Sequence, residues 1–239
     1  MEFHNSYEDI KRANAYAQLE FSGTYYLAYR DLPEIIGTYV TGEESLDFGC
    51  GTGRSTRFLK KLGFKAIGVD ISENMIQQAK NMDPNGDYQL IKEEYFDQFD
   101  DETFDLVLSI FTFDNIPTRL KKQRNLQEIV RVLRAEGIFI NLVSSPEIYV
   151  NEWASFSTKD FPENRLAKTG DVVKIIISDI EDKRPVEDVF FSSDDYRKLF
   201  TNTGFKIEKV YKPLARKSKP HKWGSETEIA PWNIYVLKK

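Results

Sequence analysis

Residues 46–59 read LDFGCGTGRSTRFL, and three glycines at alternate positions, Gly49, Gly51 and Gly53, separate an apolar run from a helix-like one. Glycine tolerates positive φ and brings no side chain between the backbone and a ligand. Such a turn between a strand and a helix suits a nucleotide-like ligand, so a hydride carrier, a phosphate donor and a methyl donor compete. A dinucleotide fingerprint needs G-x-G-x-x-G, its third glycine allowing close helix–sheet packing. Counted from Gly49, that position holds Arg54. A phosphate-binding loop needs G-x-x-x-x-G-K-[ST], and no Lys–Ser or Lys–Thr pair follows the turn. What remains is a ligand whose polar end rests on bare backbone without a pyrophosphate. Asp70 closes the next apolar run. A carboxylate there accepts from both ribose hydroxyls with charge-assisted strength, which points to an adenosine-containing ligand.

These residues need a scaffold, and the chain alternates strand and helix patterns to supply one. Residues 44–48 (ESLDF) and 66–70 (AIGVD) read as buried strands, and residues 55–62 between them as a helix ended by Gly63. Ser72 is an N-cap for a helix with Met75, Ile76, Ala79 and Met82 on one face. Residues 88–92 and 104–110 are the third and fourth strands, the latter almost wholly apolar, as expected when both faces are covered. Leu126, Ile129, Val130 and Leu133 keep helical spacing before a fifth strand in residues 135–143. Such alternation predicts a doubly wound α/β fold with right-handed crossovers, and ligands bind such sheets at the carboxyl ends of the strands. A helix over residues 192–205 and two closing strands complete a mostly parallel seven-stranded sheet, helices on both faces, last strand antiparallel. The whole chain reads as one domain: an N-terminal helical segment (1–42), a cofactor-binding core (43–145), an inserted loop and hairpin lid (146–191) and the closing elements (192–239).

The stretches LDFGCGTG, GVDIS, FDLVLS and LQEIVRVLRAEGIFI, in that order, make residues 43–143 resemble the class I S-adenosylmethionine-dependent methyltransferases. The first has the family's acidic–x–Gly–x–Gly–x–Gly form, with Asp47 as the acid. The resemblance implies S-adenosyl-L-methionine as cofactor and S-adenosyl-L-homocysteine as product. It implies that Gly49, Cys50 and Gly51 face the methionine part and that Gly53 turns the chain into the helix. Asp47 would hold the methionine amino group directly or through water. Asp70 would take the ribose hydroxyls, Ile71 and Met75 would flank adenine, and Glu93, Glu94 and Tyr95 would lie close by. Ser109, Ile110 and Phe111 would run past the sulfonium.

A sulfonium methyl is already activated, so the protein must mainly align a nucleophile and exclude water. A general base matters only where the acceptor must lose a proton. In the family, amide and adenine nitrogens call for Asn or Asp, Pro-Pro and an aromatic after strand four; residues 113–117 read FDNIP. Cytosine-type chemistry calls for a cysteine there, but Cys50 lies in the glycine turn. Catechol-type metal sites need an Asp-Asn pair after strand five, where the chain reads NLVSSPE, so no metal is expected. Asp114 and His221 are the candidate bases. Tyr25, Asn115, Tyr149, Trp153 and Trp223 are candidates to wall an acceptor pocket. Arg30 could pair with the cofactor carboxylate or an anionic substrate.

The 239 residues carry a net charge of −5, which argues against a polyanionic partner. Seven acids crowd residues 93–105, and five Lys or Arg crowd residues 212–222. Each run reads as a solvated loop, and the basic one alternatively as a rim for an anionic substrate. No apolar run approaches bilayer length, residues 1–21 do not read as a secretory signal, and the single cysteine suits a reducing cytoplasm. The expected function is methyl transfer to a small-molecule acceptor by a cytoplasmic monomer or homodimer without membrane or nucleic-acid partners. The alternatives are a cofactor-binding protein without transferase activity, a protein or RNA methyltransferase docking through the basic run, and a dinucleotide oxidoreductase weakened by Arg54.

Overall fold

The first strand, β1 (Glu44–Phe48), lies at the centre of a seven-stranded sheet in a computed structural model describing residues 9–19, 21–217 and 222–239. It pairs in parallel with β2 (Lys65–Asp70) on one side and β4 (Phe104–Ile110) on the other. Beyond β2 lies β3 (Asp87–Leu90), and beyond β4 lies β5 (Leu133–Ser144), both parallel to their neighbours. The last strand, β10 (Trp232–Lys238), is antiparallel to β5 and to the edge strand β9 (Lys206–Tyr211). The strand order reverses about β1, so the carboxyl ends of β1, β2 and β4 open the crevice where such sheets bind ligands.

Alternation along the strands builds two cores. Leu106, Leu108 and Ile110 of β4, with Ile138, Ile140 and Leu142 of β5, face one side. Val107, Phe139 and Val143 face the other. Over the second face pack α6 (Arg119–Val132), through Leu126 and Ile129, and α7 (Ser193–Asn202), through Leu199 and Phe200. Over the first lie α2 (Thr24–Tyr29) and α3 (Leu32–Tyr39), together with a small antiparallel sheet. That sheet comprises β6 (Phe156–Ser157), β7 (Val172–Ile177) and β8 (Val186–Val189). It is the inserted region, and Val173, Ile175 and Ile177 join the same apolar cluster as Tyr25 and Trp232.

Local chemistry sets the helix ends. Gly53, at φ 79°, leads into α4 (Arg54–Lys61), and Gly63, at φ 95°, follows it. The Ser72 hydroxyl caps α5 (Glu73–Met82) by accepting from the Met75 amide at 3.3 Å. The Ser192 hydroxyl caps α7 by accepting from the Asp195 amide at 3.1 Å. Leu133, expected on the sixth helix, instead opens β5 at ψ 136°. Its side chain stays in the same cluster as Leu126 and Ile129, so helical spacing runs on past the end of the helix. The first helix, α1 (Ile10–Ala17), contacts α5 beside the crevice. Among the described residues no helix is long and apolar enough to cross a membrane.

Candidate active site

Two cavities meet at the carboxyl end of the sheet. The first is a cleft with about 840 Å³ of empty space, open to solvent, walled by Gly49, Gly51, Asp70, Ile71, Met75 and Glu93 among others. Gly51 sits at φ 53°, and a Cβ added to it would meet nothing within 4 Å, so bare backbone faces the opening. Gly49 and Gly53 are glycines for a different reason. A Cβ on Gly49 would clash with the Thr112 side chain, and one on Gly53 would lie 2.7 Å from the Tyr88 ring. Both also hold positive φ, where a side chain is strained. Asp70 ends β2 with its carboxylate clasped across the turn. Oδ2 accepts from the Gly51 amide at 2.9 Å and Oδ1 from the Ser72 amide at 2.8 Å. Burial raises its pKa, and those two amide bonds oppose the rise.

Several residues expected at the cofactor do not line this cleft, among them Gly53, Glu94 and Tyr95. The Cys50 side chain turns away from the cleft and packs with Ile76, Ala79 and Tyr88, because the turn that exposes the backbone of Gly51 points its neighbour inward. Asp47 is fully buried and does not line the cleft. Its Oδ2 accepts from the Ser55 and Thr56 hydroxyls at 2.6 Å each, stitching β1 to α4. Its Oδ1 has no hydrogen-bond partner among the described residues, and burial pushes the carboxyl up to about 6. Arg30 is held by Asp31 at 2.6 Å and by the Leu214 carbonyl at 2.8 Å, and so is drawn off the cleft. Ser109 is buried within the sheet, on the face opposite its neighbours Leu108 and Ile110.

Around the cleft, Glu93 lies on the wall and pairs with Lys121 at 2.7 Å. Glu94 is buried against Arg124 at 2.8 Å, and Tyr95 is exposed. Ile110 and Phe111 reach the cleft from β4. Phe111 adopts φ 65°, uncommon for a bulky residue, and its ring packs 4.6 Å from that of Trp232.

The second cavity, also open to solvent and with about 400 Å³ of empty space, shares Tyr16, Phe111 and Asn115 with the first. Tyr25, Phe156 and Trp232 make its aromatic walls, and two carboxylates, Asp114 and Asp188, also line it. Asp114 Oδ2 accepts from the Ser144 amide at 2.9 Å, and Asp188 Oδ2 from the Tyr149 hydroxyl at 3.1 Å. Burial drives both carboxyls upward, and each one's negative field acts on Lys122. Lys122 is wholly buried behind them on α6, donates to the Phe113 carbonyl, and is lowered by burial. The Asn115 amide nitrogen donates to the Phe111 carbonyl at 3.3 Å, and its Oδ1 is buried with no partner among the described residues.

Of the expected acceptor-pocket residues, Tyr25 and Asn115 line this cavity and Tyr149 buttresses Asp188 from behind. Trp153 is buried with its indole nitrogen donating to the Ile148 carbonyl at 2.8 Å, and Trp223 packs against the apolar core. Neither lines either cavity. His221 lies outside the described residues, as do positions 218–220 of the basic run. Sequence reasoning missed Asp188 and Trp232. Asp188 carried a signal, since an acid on the inward face of an alternating strand, in step with Val186, is costly unless it is used.

Comparison with known proteins follows this geometry. A family model described as a methyltransferase domain matches residues 46–141. A demethylmenaquinone methyltransferase from Tropheryma whipplei is 36% identical over 99 residues, covering 40% of this chain and 39% of that protein. The demethylmenaquinone methyltransferase of Bacillus subtilis is 29% identical over 154 residues, covering 61% of this chain and 65% of that protein. The match thus spans less than two thirds of either relative. A solved S-adenosylmethionine-dependent methyltransferase from Clostridium acetobutylicum superposes with a TM-score of 0.63 at 15% identity, covering 95% of this chain and 97% of that one, and shares the fold.

Proposed function

We propose that the chain, whose residues 46–141 match a methyltransferase-domain model and whose fold is that of solved S-adenosylmethionine-dependent methyltransferases, transfers a methyl group from that cofactor to a small-molecule acceptor held in the second cavity. The cofactor supplies a methyl already activated on a positively charged sulfur. The residues of the cleft fit it. Asp70 keeps spare lone pairs on both oxygens beyond the two amides it accepts, and these suit the ribose hydroxyls. Gly51 leaves backbone bare for the methionine end, and Ile71 and Met75 offer apolar surface to adenine. Gly49, Glu93, Ile110 and Phe111 complete our assignment of the cofactor wall.

One observation carries the reading. The cofactor cleft and the aromatic cavity share Tyr16, Phe111 and Asn115, so a ligand in each would meet across that wall. We assign Tyr16, Tyr25, Asn115 and Trp232 to the acceptor, with Asp114 as a base. The test is incubation of the purified protein with methyl-labelled S-adenosylmethionine and a pool of small metabolites. Label in a low-mass product is the expected result. Label confined to protein or RNA would move the acceptor to a macromolecule. Tight S-adenosylhomocysteine binding without any transfer would leave a binding protein. A second reading takes its support from relatives named for demethylmenaquinone and for 2-methyl-6-phytyl-1,4-hydroquinone, and predicts a hydroquinone acceptor.

A further inference from the structure

We propose that the second cavity is an ammonium-binding chamber and that the acceptor is a small amine methylated on nitrogen, an inference that rests on the methyltransferase reading above. Two carboxylates, Asp114 and Asp188, line a space otherwise walled by aromatic rings and aliphatic side chains. Two basic groups stand near it, and neither lines it. Lys122, whose charge also acts on both carboxylates, donates to the Phe113 carbonyl, with its ammonium 5.3 Å from the centre of the Phe191 ring. Arg54 is enclosed by Tyr16, Phe21, Tyr25 and Tyr29 at 5.0 to 5.9 Å. The buried Asn115 Oδ1, without a partner among the described residues, adds a further acceptor where the two cavities join. Acceptor oxygens and ring faces are what an N–H-rich cation satisfies. A carboxylate, phosphate or phenolate would instead set its own acceptor oxygens against those of Asp114 and Asp188.

The chemistry balances. The amine enters as an ammonium ion and gives one proton to a carboxylate of the pair, from which it passes to solvent. The freed lone pair attacks the methyl carbon. The N–C bond forms as the C–S bond breaks, the electrons of the broken bond stay on sulfur, and the positive charge moves from sulfur to nitrogen. Burial raises both carboxyls, which makes each a stronger base than an exposed aspartate.

Calorimetry on protein saturated with S-adenosylhomocysteine tests this, with ethylamine and 2-phenylethylamine against ethanol, 2-phenylethanol and phenylacetate as probes. An amine should bind roughly tenfold or more tighter than its alcohol, and phenylacetate should not bind. Asp188→Asn should bring amine and alcohol within about threefold while leaving S-adenosylhomocysteine affinity unchanged, since Asp188 does not touch the cofactor cleft. Equal binding of amine and alcohol by the unmodified protein, or tight binding of phenylacetate, overturns the proposal whether or not the variant folds. Failure to bind S-adenosylhomocysteine at all would instead remove the methyltransferase reading, and this inference with it.

Discussion

At the residue scale, Asp70 bears most of the cofactor assignment. It joins the ends of β1 and β2 through the Gly51 and Ser72 amides and still presents its oxygens to the cleft. Asp70→Ala removes a charged acceptor from two hydroxyls, so S-adenosylhomocysteine affinity should fall by roughly a hundredfold or more in calorimetry. Unchanged affinity would show that the ribose lies elsewhere. Asp47 predicts a different behaviour. Burial holds its carboxyl near 6, above its ordinary value, so between about 4 and 6 the folded protein binds more protons than the unfolded chain. Its contribution to stability therefore falls as pH rises through that window and is level above it, by up to about 3 kcal/mol. Asp47→Asn should flatten that part of a denaturant-midpoint profile, and an unaltered slope would show that Asp47 is not its source.

At the element scale, the glycine turn works because two elements crowd it. Thr112 stands where a Gly49 side chain would go, and Tyr88 of β3 stands where one on Gly53 would. Gly53→Val should destabilise the fold by about 2 kcal/mol or more, through both the clash and the positive φ, as read by urea melts. Ser72→Ala removes the cap of α5, the helix that holds Met75 at the cleft, and should cost about 1 kcal/mol. These elements were legible in the sequence. Ser72 and Gly63 end helices where their chemistry requires, and the apolar run of β4 is buried on both faces. The end of α6 was not legible. Leu133 keeps the apolar spacing of a helix while its backbone has already become extended, because both conformations point it at one core.

At the scale of the whole molecule, the N-terminal helices and the inserted sheet together turn an open crevice into a cleft joined to a second cavity. Arg54 ties them to the core. It begins α4, and its guanidinium is ringed by tyrosines of α1 and α2. Arg54→Ala should lower stability by at least about 2 kcal/mol and loosen that wall, seen as faster amide exchange in α2. Ligand linkage makes a global prediction too. S-adenosylhomocysteine at a hundred times its dissociation constant should stabilise the protein by about 2.7 kcal/mol, a rise in Tm of roughly 5–10 °C. NAD should leave Tm unchanged, and stabilisation by NAD alone would return the chain to the dinucleotide binders.

What the sequence by itself determined was the glycine turn and the carboxylate beside it, to which we assign the cofactor. Gly49, Gly51 and Asp70 fall on one strand–turn–helix–strand unit, so their spacing along the chain is already their spacing around the crevice. Arg54, which by its bulk argued against a dinucleotide, proved to be a buried pin for the tyrosine-rich front. The second cavity, to which we assign the acceptor, was decided only by the tertiary structure. Tyr16, Asp114, Asp188 and Trp232 come from four separate stretches of the chain and meet only when the inserted sheet and the first helices fold onto the same face of the main sheet. Periodicity reports which face of an element is buried, but not which other element buries it, and a pocket made between elements is written in the second of these.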